Sequence, residues 1–487
     1  MIEEKLKKLL ILLLCVLTCI SSASCSLGAG QPSDSTRPQD TESDKATASP
    51  DSTDAPDAPA ATPDRLSAAK EEAESALSSA PTGDFDGMSY IFTRMSSAVF
   101  GDVSDATVLS REQNDRISLL GERLNVNIIV TEASYEDILS GLGTSESSGM
   151  IYSHMLSVNA SKIGSLNYAG YLGNFNSLPF IDLSRPYYDA DVCAQFATPS
   201  GIYAVYGDAV CDYDSLGAVF YNSRIAESFG YDDLEGAVRD GAWTLDLLGA
   251  CVKSVSSSDN TDIYAIGASS AESMLSRFYI SAGMQSAKLA SGKLTANNNA
   301  EQGDRLAAAV KELLLSFGES YDGISAEEQF FVGECMFYIG RLGEVSDFYC
   351  MTDVWGLLPM PTLDGGSSYS TPLYFDTQLI CFPKQADASE TGIMTENLFA
   401  CSYKVGDQAL RYDFLHKYVR NAKAIEMLGY ICSDKSADLV LAYGDEYPKY
   451  RDNTIGVFIS ACESETRYSK AIKKSLTQAN KSLSYVK

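Results

Sequence analysis

Ser89-Tyr90-Ile91-Phe92-Thr93 is dense in β-branched and aromatic side chains and reads as a strand. Ser110-Arg111-Glu112-Gln113 follows as a capping box and opens a helix that carries Ile117, Leu120 and Leu124 on one face. Val126 to Val130 is a second strand, Ser134 caps a helix with Ile138, Leu139 and Leu142, and Gly149-Met150-Ile151-Tyr152 is a third strand. Strands alternating with single helices over short loops predict an α/β fold whose parallel sheet has right-handed crossovers. Such sheets take ligands outside the carboxyl ends of their strands. The third strand is therefore expected to deliver Ser153 and His154 to a binding edge, where an imidazole serves either as a ligand contact or as a loop residue.

Downstream, the apolar part of Asp214 to Asn222 is a further strand, followed by a helix from Ser223 to Phe229. In Gly241-Ala242-Trp243-Thr244-Leu245-Asp246, Thr244 is an N-cap with Asp246 in the first turn, and Trp243 is expected to pack structurally. A new α/β pattern begins at Tyr264-Ala265-Ile266-Gly267. Two such patterns joined through a strand predict two lobes with a cleft between them.

Upstream, Lys5, Lys7 and Lys8 precede an unbroken apolar run from Leu9 to Ile20 and the small residues Ser21 to Ser24. That is a secretory signal peptide over residues 1–24, and its apolar run falls short of the about 20 residues a spanning helix needs. Residues 31–64 are rich in Pro, Ser, Thr, Ala and Asp and contain no Ile, Leu, Val, Met, Phe, Tyr or Trp. Nothing there offsets the entropy of ordering, so residues 25–64 are expected to be a disordered acidic tether.

Composition removes several functions. A net charge of −28 over 487 residues repels phosphate backbones, so no nucleic acid is expected as a partner. Only His154 and His416 are histidines, too few for a multi-histidine metal site or an imidazole pair. No GxSxG elbow, HExxH helix or GxxxxGK[ST] loop is present, so no catalytic residues, metal or cofactor are assigned. Three of the twelve cysteines, Cys15, Cys19 and Cys25, lie in the leader region, and the nine from Cys193 to Cys462 show no CxxC spacing. These nine read as free, structural thiols, with one or two disulfides left open.

Ala23-Ser24-Cys25 resembles the lipobox of bacterial lipoproteins, with Ser22 where leucine is usual, and implies that Cys25 carries a lipid anchor. Further segments resemble, in order, the extracellular solute-binding proteins of ABC importers, family 1, carbohydrate type. Pro179-Phe180-Ile181-Asp182-Leu183-Ser184-Arg185-Pro186-Tyr187-Tyr188-Asp189 is similar to that family's "lpyiDLs.PWWd", with tyrosines for the paired tryptophans. Phe220-Tyr221-Asn222-Ser223-Arg224 is similar to "fYNk", and Asp240 to Asp246 to "dGkWTlD". Phe331-Val332-Gly333-Glu334-Cys335-Met336-Phe337 is similar to "F..Gkaam", Trp355 to Pro361 to "wGvlPmPk", and Arg451-Asp452-Asn453 to "rDeeS".

The resemblance spans residues 85–470 and implies a two-lobed, periplasmic-binding-protein-like fold of type II. One lobe would comprise 85–218 plus 373–425 and the other 219–372 plus 426–487, with crossings near Ala218–Asn222 and Leu373–Ile380. It implies a monomer on the extracellular face of the membrane. That monomer would capture a carbohydrate, in the main an oligosaccharide, and pass it to permease subunits served by a separate ATPase. Tyr187 and Tyr188 then act either as stacking platforms or as lobe packing. Arg341 either faces the ligand or pairs with Glu344, and Asp208, Asp214 and Asp376 flank the crossings as acceptors for sugar hydroxyls. A surface glycan-active enzyme and a ligand sensor of the same fold are the competing readings.

Overall fold

The computed structural model describes residues 63–486 apart from 260, 261, 322 and 419–421. The signal peptide, Cys25 and the tether up to residue 62 lie outside the described residues. Helix α1 (Pro63–Ser78) opens the described part, with Ala69, Ala73 and Leu77 buried along one stripe at a spacing of one helical turn. It packs against helices Ala388–Ser402 and Val405–Asp413 from far downstream.

Two sheets carry the fold. In chain order their strands are β1 (Ser89–Arg94), β2 (Asn127–Glu132), β3 (Met155–Asn159), β4 (Gly217–Asn222), β5 (Tyr264–Ala268), β6 (Phe317–Gly318), β7 (Cys335–Arg341), β8 (Trp355–Leu358) and β9 (Gln378–Cys381). The first sheet has the order β9-β3-β1-β2 and the second β8-β4-β7-β5-β6. Helices α2 (Val108–Leu124) and α3 (Tyr135–Ser148) separate the first three strands, which run parallel as the sequence pattern predicts. The sheets are nevertheless mixed, where an all-parallel arrangement is expected. β9 runs antiparallel to β3, and β4 antiparallel to both β7 and β8. These are the two strands on which the chain passes from one sheet to the other, so neither arrives through a crossover helix, which parallel neighbours require.

Two local expectations are corrected. α2 begins at Val108 with Thr107 as its N-cap, whose hydroxyl accepts the Ser110 amide, so Ser110 and Gln113 form no capping box. The third strand is Met155–Asn159 and not 149–152. Gly149 takes φ +72° and returns its amide to Ser145, closing α3 in the left-handed conformation that glycine adopts without a Cβ clash. Met150 and Ile151 are 71% and 45% exposed beyond that cap, whereas Met155, Leu156 and Val158 are fully buried. Each such burial contributes about 1.5–3 kcal/mol, which places the strand on the second apolar run.

Elsewhere the sequence reading and the structure agree. Thr244 caps Leu245–Ser256 through the Leu247 amide at 3.2 Å. Trp243 and Trp355 are core residues of the second sheet's surroundings, their indole N–H groups held by Pro359 O and Phe348 O at 2.8 and 2.9 Å. The nine described cysteines are unbridged. Helix α4 (Ala160–Tyr168) follows β3, and Leu439–Tyr443, within the stretch expected in the second lobe, packs on it. Gly164 permits that approach, since a Cβ there would lie 2.7 Å from the Ala442 carbonyl oxygen. No helix among the described residues is long and apolar enough to cross a membrane.

Candidate functional site

The carboxyl edge of the first sheet is where the two sheets meet. β1 ends at Arg94 and continues into Met95-Ser96-Ser97, β3 ends at Asn159, and β9 starts at Gln378 beside it. The first crossing passes here as Asp212 and the short helical turn Tyr213–Ser215, and the end of β7 brings Arg341 from the second sheet. Together they line a cleft of about 500 Å³.

Hydrogen bonds fix the cleft floor. The Gln378 amide N–H donates to Asp212 Oδ2 at 2.6 Å, and its side chain donates to Asn159 Oδ1 at 2.5 Å while accepting from Ser157 at 3.3 Å. The hydroxyls of Ser215 and Thr377 share a bond of 2.9 Å, which ties the outgoing crossing to the returning one. Burial pushes the Asp212 carboxyl up to about 7, and the charges of Asp214 and Asp376 add to this while the Gln378 amide opposes it. Arg341 Nη1 meets Asp376 Oδ2 at 2.8 Å, with the two side chains 41% and 42% exposed, so one ion pair spans from the second sheet to the first. Glu344 lies 3.6 Å from Arg341 Nε and accepts the Arg341 backbone amide at 2.8 Å. Arg341 thus has both the partner weighed from sequence and a closer one across the cleft.

The loop after β1 is held from behind. The buried Arg116 guanidinium donates to Val99 O, Ala209 O and Cys211 Sγ at 3.1, 3.0 and 3.2 Å. Asp413 accepts the Val108 and Leu109 amides at 2.8 and 2.7 Å, a carboxylate seated on the N-terminus of α2.

Of the residues expected at the site, Asp214, Arg341 and Asp376 come together in the cleft. Asp208 does not line it. Its carboxylate accepts the Lys404 amide at 2.8 Å, and burial raises its pKa to about 6. Ser153 and His154 stand at the amino-terminal start of β3, away from the ligand edge, because the strand begins after them. Ser153 Oγ donates to Met155 O at 2.7 Å. His154 Nδ1 accepts the Ile91 amide at 3.0 Å and its ring stacks on Tyr90 with centroids 4.8 Å apart. Burial holds that imidazole below its ordinary pKa, so the pair fastens β3 to β1.

Tyr187 and Tyr188 resolve to lobe packing. Their hydroxyls donate to Glu396 Oε2 and Oε1 at 2.6 and 2.8 Å, and the Asp182 amide donates to Oε1 at 3.1 Å. The sequence reading missed Glu396, Asp212, Asn159 and Gln378. Only Asp212 left a signal, as a second aspartate two residues before Asp214 at the crossing.

No protein-family model and no curated relative matches the sequence. Solved structures match the fold. One is the cyclic α-maltosyl-1,6-maltose binding protein of Arthrobacter globiformis, at TM-score 0.56 and 15% identity over 82% of this chain and 99% of that one. The sugar-binding protein MalE of Xanthomonas citri aligns at TM-score 0.55 and 10% identity over 81% and 97%. The galacto-N-biose/lacto-N-biose I-binding protein of an ABC transporter from Bifidobacterium longum aligns at 0.52 and 11% over 83% and 98%. The chain therefore has the two-lobed periplasmic-binding-protein fold. Within that class, the structures it is similar to are sugar-binding proteins of ABC transporters.

Proposed function

We propose that the protein is an extracellular substrate-binding lipoprotein of an ABC importer, held by a lipid on Cys25, that captures a carbohydrate by lobe closure and delivers it to a permease. The observation that carries this reading is the cleft itself. Polar groups from the first sheet's carboxyl edge, Asn159 and Gln378, face Arg341 from the second sheet across about 500 Å³. A ligand that touches both sides binds the closed form better than the open one, and that difference in affinity drives closure. A permease can then recognise the closed form. The lobes would be 85–218 plus 373–425 and 219–372 plus 426–487, hinged where Ser215 meets Thr377.

Arg341 presents paired donors suited to vicinal hydroxyls or a uronate carboxylate. Arg341→Ala is expected to weaken saccharide binding at least tenfold, about 1.4 kcal/mol. Its half-exposed ion pair is worth only about 0–1 kcal/mol, so the melting temperature should stay close to that of the wild type. The test is a thermal-shift screen against mono- and oligosaccharides, peptides and polyols, followed by titration of the best saccharide into both proteins. Shifts from peptides or polyols alone would overturn the sugar assignment. Unchanged affinity in the variant would remove Arg341 from the site.

A further inference from the structure

The cleft's charge is unused by the sugar reading. Its lining holds six carboxylates, Asp102, Asp105, Asp212, Asp214, Asp376 and Asp413, against the two cations Arg341 and Lys417. Three of the six are engaged locally: Asp102 with Ser104 at 2.8 Å, Asp105 with Thr107 at 2.8 Å, and Asp413 with the first amides of α2. The other three cluster where the crossings meet Arg341. Asp376 gives Oδ2 to Arg341, while its Oδ1 is shut off from solvent without a hydrogen-bond partner. A buried carboxylate oxygen left unpaired costs about 1–3 kcal/mol or more, a cost that a donor on a bound ligand removes. The cleft walls also desolvate Asp214 and raise its pKa, with Arg341 opposing, so a cation beside it would be strongly favoured.

The lining is equally informative for what it offers an uncharged ring. Tyr213 is its one aromatic residue among the described residues, and it is 8% exposed. Neutral sugars draw affinity from apolar ring faces laid on aromatic platforms. Here the wall supplies charge in place of such a platform.

We propose that the cleft takes a saccharide bearing a protonated amino group, and that Asp214 and Asp376 Oδ1 receive its ammonium. An ammonium brings three donors and no acceptor, which matches a wall of acceptors. Charge-assisted bonds to carboxylates are roughly twice as strong as neutral ones. This proposal rests on the sugar-binding reading, and the experiment separates the two.

The purified protein is titrated calorimetrically with glucosamine, galactosamine and their oligomers, and with the matching N-acetylated and hydroxyl sugars. The expected result is at least tenfold tighter binding of the ammonium form. Asp214→Asn should abolish most of that preference while leaving the hydroxyl and acetyl forms within about twofold of the wild type. Salt gives a second reading without any variant, since screening should weaken the ammonium form alone. A hydroxyl or acetyl form that binds as well as or better than its ammonium counterpart overturns the proposal and leaves the sugar reading standing. Binding of spermidine with every saccharide silent overturns both, and so does silence from all probes.

Discussion

Glu396→Ala should unfold at a clearly lower urea concentration than the wild type. Glu396 is 2% exposed in helix Ala388–Ser402 and accepts two phenolic hydroxyls and one backbone amide. Truncation leaves the Tyr187 and Tyr188 hydroxyls buried with no acceptor, and each stranded donor costs about 1–3 kcal/mol. A small cavity adds to this, for a total of about 3–5 kcal/mol. Glu396→Gln keeps one acceptor oxygen and should lose less. The check is denaturant unfolding with an unchanged slope, which isolates stability from a change in compactness. A loss below about 1 kcal/mol would show that the phenols find other partners, against the accounting of buried donors.

Trp243→Ala carries a comparable effect in the other sheet. The indole is 0% exposed, lies 6.2 Å from the Phe337 ring between centroids, and donates to Pro359 O at 2.8 Å. Removing a buried tryptophan costs about 3–5 kcal/mol through lost transfer energy and the cavity left behind. Trp243 does not line the cleft, so the folded fraction should bind its ligand with wild-type affinity. Unfolding curves and a titration on the same preparation measure both parts. A variant that melts like the wild type but binds poorly would move Trp243 from the core to the site.

The contrast between these two residues shows what the sequence can carry. Trp243 announces itself locally, because it stands directly before the Thr244 cap and an apolar helix. β1 and β4 are equally local, being apolar runs bounded by turns. Glu396 is invisible by the same measure. Its partners lie more than 200 residues earlier in the chain, and an acid in a helix normally reads as a solvated face. Gly149-Met150-Ile151-Tyr152 misleads for a different reason. Four residues of strand-like composition follow a helix whose glycine cap consumes the first of them, and composition does not say where the helix ends. That one boundary moved Ser153 and His154 from the ligand edge to the far end of the sheet.

At the site, Asp214, Arg341 and Asp376 were reachable because each stands at a strand end or crossing that the family resemblance marks. The groups that hold them were not. Asp212 is positioned by the Gln378 amide 166 residues away, and Ser215 by Thr377 at a separation of 162. Such contacts exist only once β9 has returned to the first sheet beside β3.

The most direct test of the central claim is small-angle X-ray scattering of the protein with and without a saturating saccharide, with the sample analysed for products afterwards. Lobe closure on a sugar predicts one bound saccharide per chain, a smaller radius of gyration and a ligand recovered intact. A scattering profile unchanged by every saccharide, or a sugar cleaved during the measurement, would contradict it.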